Sequence, residues 1–128
     1  MGKLFWAIAA VYGGLGVAGG AFASHALQGR LSERALEVFN TGIRYQMIHA
    51  LALLAVALLL RQGATAGPWL AVAGWGFVSG VVLFSGSLYL ISLAGLKLFG
   101  PVTPLGGLAF LVGWGSLAIA ALTLPSDP

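Results

Sequence analysis

Residues 43–60 read IRYQMIHALALLAVALLL, and this stretch decides the fold of the chain. Positions 50–60 hold only Ala, Leu and Val, whereas the polar residues crowd into the beginning of the stretch. A helix of about 20 mainly apolar residues crosses a hydrocarbon core of ~30 Å at ~1.5 Å per residue. The stretch therefore predicts a membrane-spanning helix that is polar at one end.

Three further segments of the same kind fill most of the remaining chain, at positions 4–23, 68–93 and 104–124. Hydrophobic residues make up 59% of the chain and charged residues 7%, and the mean hydropathy is +1.00. Soluble domains carry roughly a quarter charged residues, so this composition excludes a water-soluble fold. The connections are too short to build a core of their own. We predict one transmembrane domain over residues 1–128, an all-α integral membrane four-helix bundle.

An amphipathic segment lies between the first two spans, from Ser32 to Gly42. Ser32 is a favourable N-cap, and Gly42 is a residue at which helices often stop. Leu36, Phe39 and Ile43 recur at steps of three and four residues, which places them on one face of a helix. The segment predicts a short interfacial helix over 32–42, lying on the membrane or over one end of the bundle.

The first segment has a competing interpretation, because Lys3, the apolar run and the tripeptide Ala21-Phe22-Ala23 are typical of a cleavable secretory signal. We expect a retained span instead, since the run is rich in glycines at the spacing of helix-packing motifs. Such glycines let two helix backbones approach closely inside lipid, either within one chain or between copies of it. The predicted helix-packing residues are Gly13, Gly16, Gly20, Gly76 and Gly80.

Orientation follows from the distribution of Lys and Arg, because the connections that are rich in these residues stay in the cytoplasm. The side with the first and third connections carries Arg30, Arg34, Arg44 and Lys97, whereas the opposite side carries Lys3 and Arg61. The excess predicts that both termini are outside, in the periplasm of a bacterial cell, and that the amphipathic segment is inside.

The polar residues that could enter the membrane all lie toward the predicted inner end. His49 is the one clearly intramembrane ionisable residue, about six residues into its span, and it needs a polar partner. Tyr45, Ser85 and Tyr89 are within reach of it, while Thr103 is a predicted N-cap for the fourth span, with Pro104 at its first position. The candidates for ligand or proton binding are His49, His25, Arg44, Tyr45, Gln46, Ser85, Ser87, Tyr89 and Thr103.

Each of these candidates also has a purely structural interpretation. Arg44 can extend to the lipid head groups, and the serine hydroxyls can bond to carbonyls of their own helix. We expect no metal site, because His25, His49, Glu33 and Glu37 show no ligand spacing, and no thiolate or disulfide, because cysteine is absent. No catalytic residue, cofactor or nucleic-acid surface is predicted.

Four strings give the chain a wider resemblance: GAFASHAL at 20–27, YQMIHALA at 45–52, FSGSLY at 84–89 and PVTPLGG at 101–107. With them the chain resembles the YgdD/YwdK-like family of small four-span bacterial inner-membrane proteins. The resemblance extends over almost the whole chain and implies a location and a layout. It implies no activity, because that family is a domain of unknown function.

Two functional hypotheses remain open. The first is a non-enzymatic module that associates with itself and binds a lipid head group or a partner protein at its polar inner end. The second is a small transporter or channel for protons or a small anion, in which His49 acts with Arg44 and Tyr89. The first is favoured because no second ionisable residue lies deep enough to relay a proton onward. Its expected partners are the bilayer, an anionic lipid or small ligand, and further copies of the chain.

Overall fold

Four long helices make up the computed structural model, which describes residues 1–126. Their bounds are α1 Gly2–Leu27, α2 Glu33–Arg61, α3 Trp69–Ala94 and α4 Val102–Thr123. Each is long and apolar enough to cross a membrane, which confirms the predicted all-α four-helix bundle. The last turn of α1 and a turn in the middle of α3 are π-helical, at Ala23–Leu27 and Val81–Ser85.

The helices run alternately up and down, because each connection is short. Helix α1 packs along α2, α3 packs along α4, and α2 packs along α3. One end of the bundle therefore holds the start of α1, the 61–69 connection and the end of α4, and we call it the terminal end. The other end holds the connections 28–32 and 95–101, and we call it the connection end.

Glycines bring the helix pairs close together. A Cβ on Gly76 would lie 2.9 Å from both the Ala109 carbonyl oxygen and the Gly113 Cα, so α3 and α4 meet backbone to backbone. Gly80 faces the Phe110 ring, and Gly16 faces the Met47 side chain of α2. These glycines thus pack within one chain, as lipid-embedded helices require.

Two of the predicted packing glycines do not lie at a close contact between helices. A Cβ on Gly20 would reach only the edge of Ile43, at 3.9 Å, and a Cβ on Gly13 would meet nothing within 4 Å. Neither glycine holds α1 tightly against the rest of its own chain.

The amphipathic segment is not a separate interfacial helix. It forms the first turns of α2, which continues without a break from Glu33 to Arg61, and the Ser32 hydroxyl accepts a hydrogen bond from the Ala35 N–H at its start. Gly42 is buried within the helix instead of ending it, because the ring of Tyr89 lies where a side chain would be. A small residue at this position thus serves the contact between α2 and α3.

The start of α4 also differs from the sequence prediction. Pro101 occupies the N-cap position without a side-chain cap, and Thr103 and Pro104 both lie in the first turn of the helix. Proline is tolerated in a first turn because the N–H groups there have no partner within the helix. Thr103 makes its hydrogen bond to α3 instead.

Two apolar clusters are separated by a layer of polar side chains. The larger cluster lies toward the terminal end and includes Phe5, Leu53 and Phe77. The smaller cluster lies at the connection end and includes Leu27 and Phe39. The buried polar side chains are Gln46, His49, Ser85, Ser87, Ser92 and Ser116.

Candidate functional site

His49 is enclosed between α2 and α4. Its ring lies parallel to the ring of Phe110, with 3.6 Å between centroids and 9° between planes. Nδ1 is 2.7 Å from the Tyr45 carbonyl oxygen, and Nε2 is 3.0 Å from the indole nitrogen of Trp114. The side chain is only 4% exposed, so its surroundings are supplied by protein.

The two hydrogen bonds of His49 fix its proton. A carbonyl oxygen can only accept, so Nδ1 donates; an indole N–H can only donate, so Nε2 accepts. Both bonds are satisfied by the neutral imidazole with its hydrogen on Nδ1. In this arrangement neither ring nitrogen of His49 is free to bind a ligand or to exchange a proton with another group.

A second set of hydrogen bonds links three helices through Gln46. The Gln46 Nε2 donates to the Tyr12 carbonyl oxygen of α1 at 2.8 Å, and its Oε1 accepts from the Tyr89 hydroxyl of α3 at 2.6 Å. The Tyr12 hydroxyl in turn donates to the Val78 carbonyl oxygen at 2.9 Å. We call Tyr12, Gln46 and Tyr89 the Gln46 network, and its bonds tie α1, α2 and α3 together.

The serine hydroxyls also bond to protein groups. The Ser85 hydroxyl donates to the Gly42 carbonyl oxygen at 2.7 Å, joining α3 to α2. The Ser87 and Thr103 hydroxyls are 2.5 Å apart and join α3 to α4. Among the described residues, no buried side-chain nitrogen or oxygen lacks a hydrogen-bond partner. The buried polar residues therefore act as interhelical links, which is a common use of polar groups in membrane bundles.

The remaining candidates are exposed. Arg44 and His25 project outward, and Tyr45 packs its ring on Phe84 with 4.4 Å between centroids. Within residues 1–126, the only ion pair joins Arg34 to Glu37 at 3.5 Å, so Arg44 has no carboxylate partner there. The sequence candidates thus fall into a buried group and an exposed group, and they do not line one shared cavity.

We expect Arg44 and Arg61 to lie near the two edges of the hydrocarbon core along α2. Seventeen positions separate them, which is about 25 Å at ~1.5 Å per residue, a little less than the ~30 Å core. Arginine side chains near such an edge extend to the phosphate level. With this placement Arg44 would reach the head groups at the connection end, and the turns of α2 before it would extend beyond the core.

Two residues that make hydrogen bonds to the buried His49 and Gln46 were not among the sequence candidates, and neither were the buried Ser92 and Ser116. Trp114 supplies the hydrogen bond to His49, and Tyr12 accepts from Gln46 and reaches α3. Their indole and hydroxyl groups are the signal that could have singled them out, because such groups take a partner when they lie inside a membrane. Within residues 1–126, no three His, Asp or Glu side chains lie close enough together to hold a metal ion.

The fold and the site define a class, the small polytopic membrane protein with four spans and a hydrogen-bonded polar layer. The chain belongs to the family described as "Protein of unknown function (DUF423)", whose profile matches residues 19–107. This confirms the resemblance to the YgdD/YwdK-like family.

Named relatives match over nearly the full length. The UPF0382 membrane protein YwdK of Bacillus subtilis is 41% identical over 120 residues, which is 94% of this chain and 97% of the relative. A UPF0382 membrane protein of Haemophilus influenzae is 42% identical over 119 residues, 92% of this chain and 93% of the relative. No solved structure matches the chain. The relatives are membrane proteins by name, in agreement with the four spans.

Proposed function

We propose that this protein is a non-enzymatic module of the bacterial inner membrane that binds an anionic lipid head group at its connection end, which faces the cytoplasm. The exposed Arg44 guanidinium is the group that carries the proposal. It lies at head-group depth, it is free of any ion pair among the described residues, and a guanidinium binds phosphate oxygens in pairs.

The cations around Arg44 support the same ligand. Arg30 and Lys97 lie in the two connections at this end, and both are exposed. Within residues 1–126 the acidic residues are Glu33 and Glu37, and Glu37 pairs with Arg34. A surplus of positive charge at the membrane surface attracts anionic lipids at about 1 kcal/mol per residue.

An acidic partner protein could contact the turns of α2 that extend beyond the core. We favour the lipid because Arg44 lies at the phosphate level, below those turns. The proposed transport function has less support, because both nitrogens of His49 are occupied by protein groups. Purified protein in liposomes should show no His49-dependent flux between about pH 5.5 and 8, around the ordinary histidine pKa of about 6.5.

Self-association is the second part of the proposal. Four short helices bury little of their surface. Helix α1 is the least buried of them, since only 17% of the residues in its apolar membrane-crossing segment are buried within the chain. Ala10, Gly14 and Ala18 are exposed at four-residue spacing on α1. Small residues at that spacing allow close contact between two helices in lipid.

Native mass spectrometry after release from mixed phosphatidylglycerol and phosphatidylcholine nanodiscs tests both parts. The wild-type protein should appear as an oligomer that retains phosphatidylglycerol in preference to phosphatidylcholine. Arg44→Gln should retain less phosphatidylglycerol, and the control Arg34→Gln, which removes the same charge from a residue already paired with Glu37, should lose less of it than Arg44→Gln does. Unchanged retention in Arg44→Gln, or a monomer under every condition, would contradict the corresponding part.

A further inference from the structure

A second basic site lies at the terminal end, between the first turn of α1 and the last turn of α2. A groove of about 300 Å³ is lined there by Lys3, Trp6, Ala7 and Arg61. The Arg61 guanidinium carbon lies 5.4 Å from the centre of the Trp6 ring, within the range of a cation–π contact. Trp6 therefore holds the guanidinium over the groove.

The groove has two cations and no carboxylate of its own among residues 1–126. Neither Lys3 nor Arg61 makes an ion pair there, and the described acids, Glu33 and Glu37, belong to the start of α2 at the opposite end. Two like charges that line one groove repel each other unless an anion lies between them. The charge pattern thus favours an anionic group in this groove.

An apolar groove continues from the basic one along the seam between α1 and α2. Its volume is about 220 Å³, and Trp6 is a wall of both grooves. The residues that line it are Trp6, Ala9, Ala10, Gly13, Met47, Ala50, Leu51 and Leu54. From Lys3 to Gly13 the path along α1 is about 15 Å, which is half of the ~30 Å hydrocarbon core.

This continuity explains the position of Gly13. Gly16, one turn further along α1, packs tightly against Met47, but a Cβ on Gly13 would meet nothing within 4 Å. The missing side chain leaves the groove open where α1 faces Met47 and Leu51. A charged mouth followed by a narrow apolar channel fits a molecule with an anionic head and a hydrocarbon tail, and not a soluble anion.

We propose that the α1–α2 seam binds one anionic phospholipid of the leaflet at the terminal end. Its phosphate lies between Lys3 and Arg61, its glycerol contacts Trp6, and one acyl chain lies in the groove beside Gly13. This site is separate from the one at Arg44, which is about 25 Å away along α2. It does not depend on the proposal for the connection end.

The test uses native mass spectrometry of the full chain from mixed phosphatidylglycerol and phosphatidylcholine nanodiscs. All variants carry Arg44→Gln, so that lipid held at the connection end does not contribute. We expect the parent to retain one phosphatidylglycerol per chain. The double variant Lys3→Gln/Arg61→Gln should lose it, whereas Arg34→Gln should retain it.

A second pair of variants tests the acyl-chain groove without altering any charge. Gly13→Leu places a side chain inside the groove and should abolish retention of phosphatidylglycerol. Gly115→Leu is the matched control, because a Cβ on Gly115 also meets nothing within 4 Å and Gly115, in α4, does not line the groove. Since both positions are open, neither leucine should prevent folding.

Three results would overturn this proposal. Retention of phosphatidylglycerol in Lys3→Gln/Arg61→Gln would show that the two cations do not bind it. Equal retention of phosphatidylcholine by the parent would show that no anionic head group is selected. Equal retention in Gly13→Leu and Gly115→Leu would place the acyl chain outside the groove.

Discussion

His49 has the surroundings of a structural residue. One nitrogen donates to its own helix, the other accepts from Trp114, and Phe110 covers one face of the ring. An ionisable side chain inside a membrane is a functional candidate by default, because leaving it without partners is costly. Here both ring nitrogens have protein partners, so the hydrogen bond that joins α2 to α4 is a sufficient structural role for His49.

The substitution Trp114→Phe tests that link. It removes the indole donor to Nε2 and should lower the free energy of unfolding by about 0.5 to 1.5 kcal/mol, the range for hydrogen bonds in membrane bundles. Trp75→Phe is the control, since the two indoles are 45% and 44% exposed, and each makes a T-shaped contact with a phenylalanine at 5.2 or 5.1 Å. Equal destabilisation of both variants, measured by unfolding in denaturing detergent, would contradict the link.

Among the buried polar residues, the sequence predicted Gln46, His49, Ser85 and Ser87, but it missed Ser92 and Ser116 and did not show how any of them pair. His49 was identified from its depth in an apolar span, whereas its partner comes from α4, 65 positions away. Ser85 and Tyr89 were expected beside His49 and bond instead to Gly42 and Gln46. Pairing depends on how the helices rotate about their axes, and hydropathy does not determine that rotation.

Helix α2 is the element that connects the parts of the bundle. It packs on α1 and α3, carries the two central residues of the polar layer, and bears an arginine at each edge of the core. Its continuity through Gly42 is what places the amphipathic turns outside the core and in line with the span.

The variant Gly42→Ala distinguishes packing from helix propensity. A Cβ there would lie 2.7 Å from Cε1 of Tyr89, whose hydroxyl is bonded to Gln46 and whose ring packs on Phe39 at 5.2 Å. We expect a loss of about 1 to 3 kcal/mol in unfolding free energy, typical of overpacking, although alanine favours a helix by roughly 1 kcal/mol.

The control for that variant is Gly115→Ala, which meets no neighbour within 4 Å and should stabilise the protein slightly. In a Tyr89→Ala background the penalty of Gly42→Ala should disappear. Its persistence there would mean that Tyr89 is not the cause.

Hydropathy located the starts and ends of the helices to within about four residues, except for the start of α2, which was expected at Ile43 and lies at Glu33. It could not show that the amphipathic segment joins α2, because Gly42 has the local character of a helix end and its burial against Tyr89 is a tertiary contact. For the same reason Thr103 was expected as an N-cap, although its hydroxyl bonds to Ser87 in α3.

At the scale of the whole molecule, the surplus of Lys and Arg predicts that the connection end faces the cytoplasm. The absence of cysteine allows a direct test, because a single introduced thiol is then the only one in the chain. Gln28 and Gln62 are both exposed and lie at opposite ends of the bundle. A membrane-impermeant maleimide on intact cells should label Gln62→Cys, and should label Gln28→Cys only after permeabilisation. The reverse pattern would mean that the orientation is inverted.

In the whole molecule, the polar and charged side chains have two roles that depend on their depth in the membrane. The polar side chains inside the bundle hold the helices together, and we propose that the cations at its edges that make no ion pair within residues 1–126 contact lipid. Native mass spectrometry of Arg44→Ala beside His49→Ala tests this separation most directly. We expect Arg44→Ala to retain less anionic phospholipid than the wild type, because only the site at Lys3 and Arg61 remains, whereas His49→Ala should retain the wild-type amount and unfold more easily. Loss of the lipid in His49→Ala, with retention in Arg44→Ala, would contradict the account.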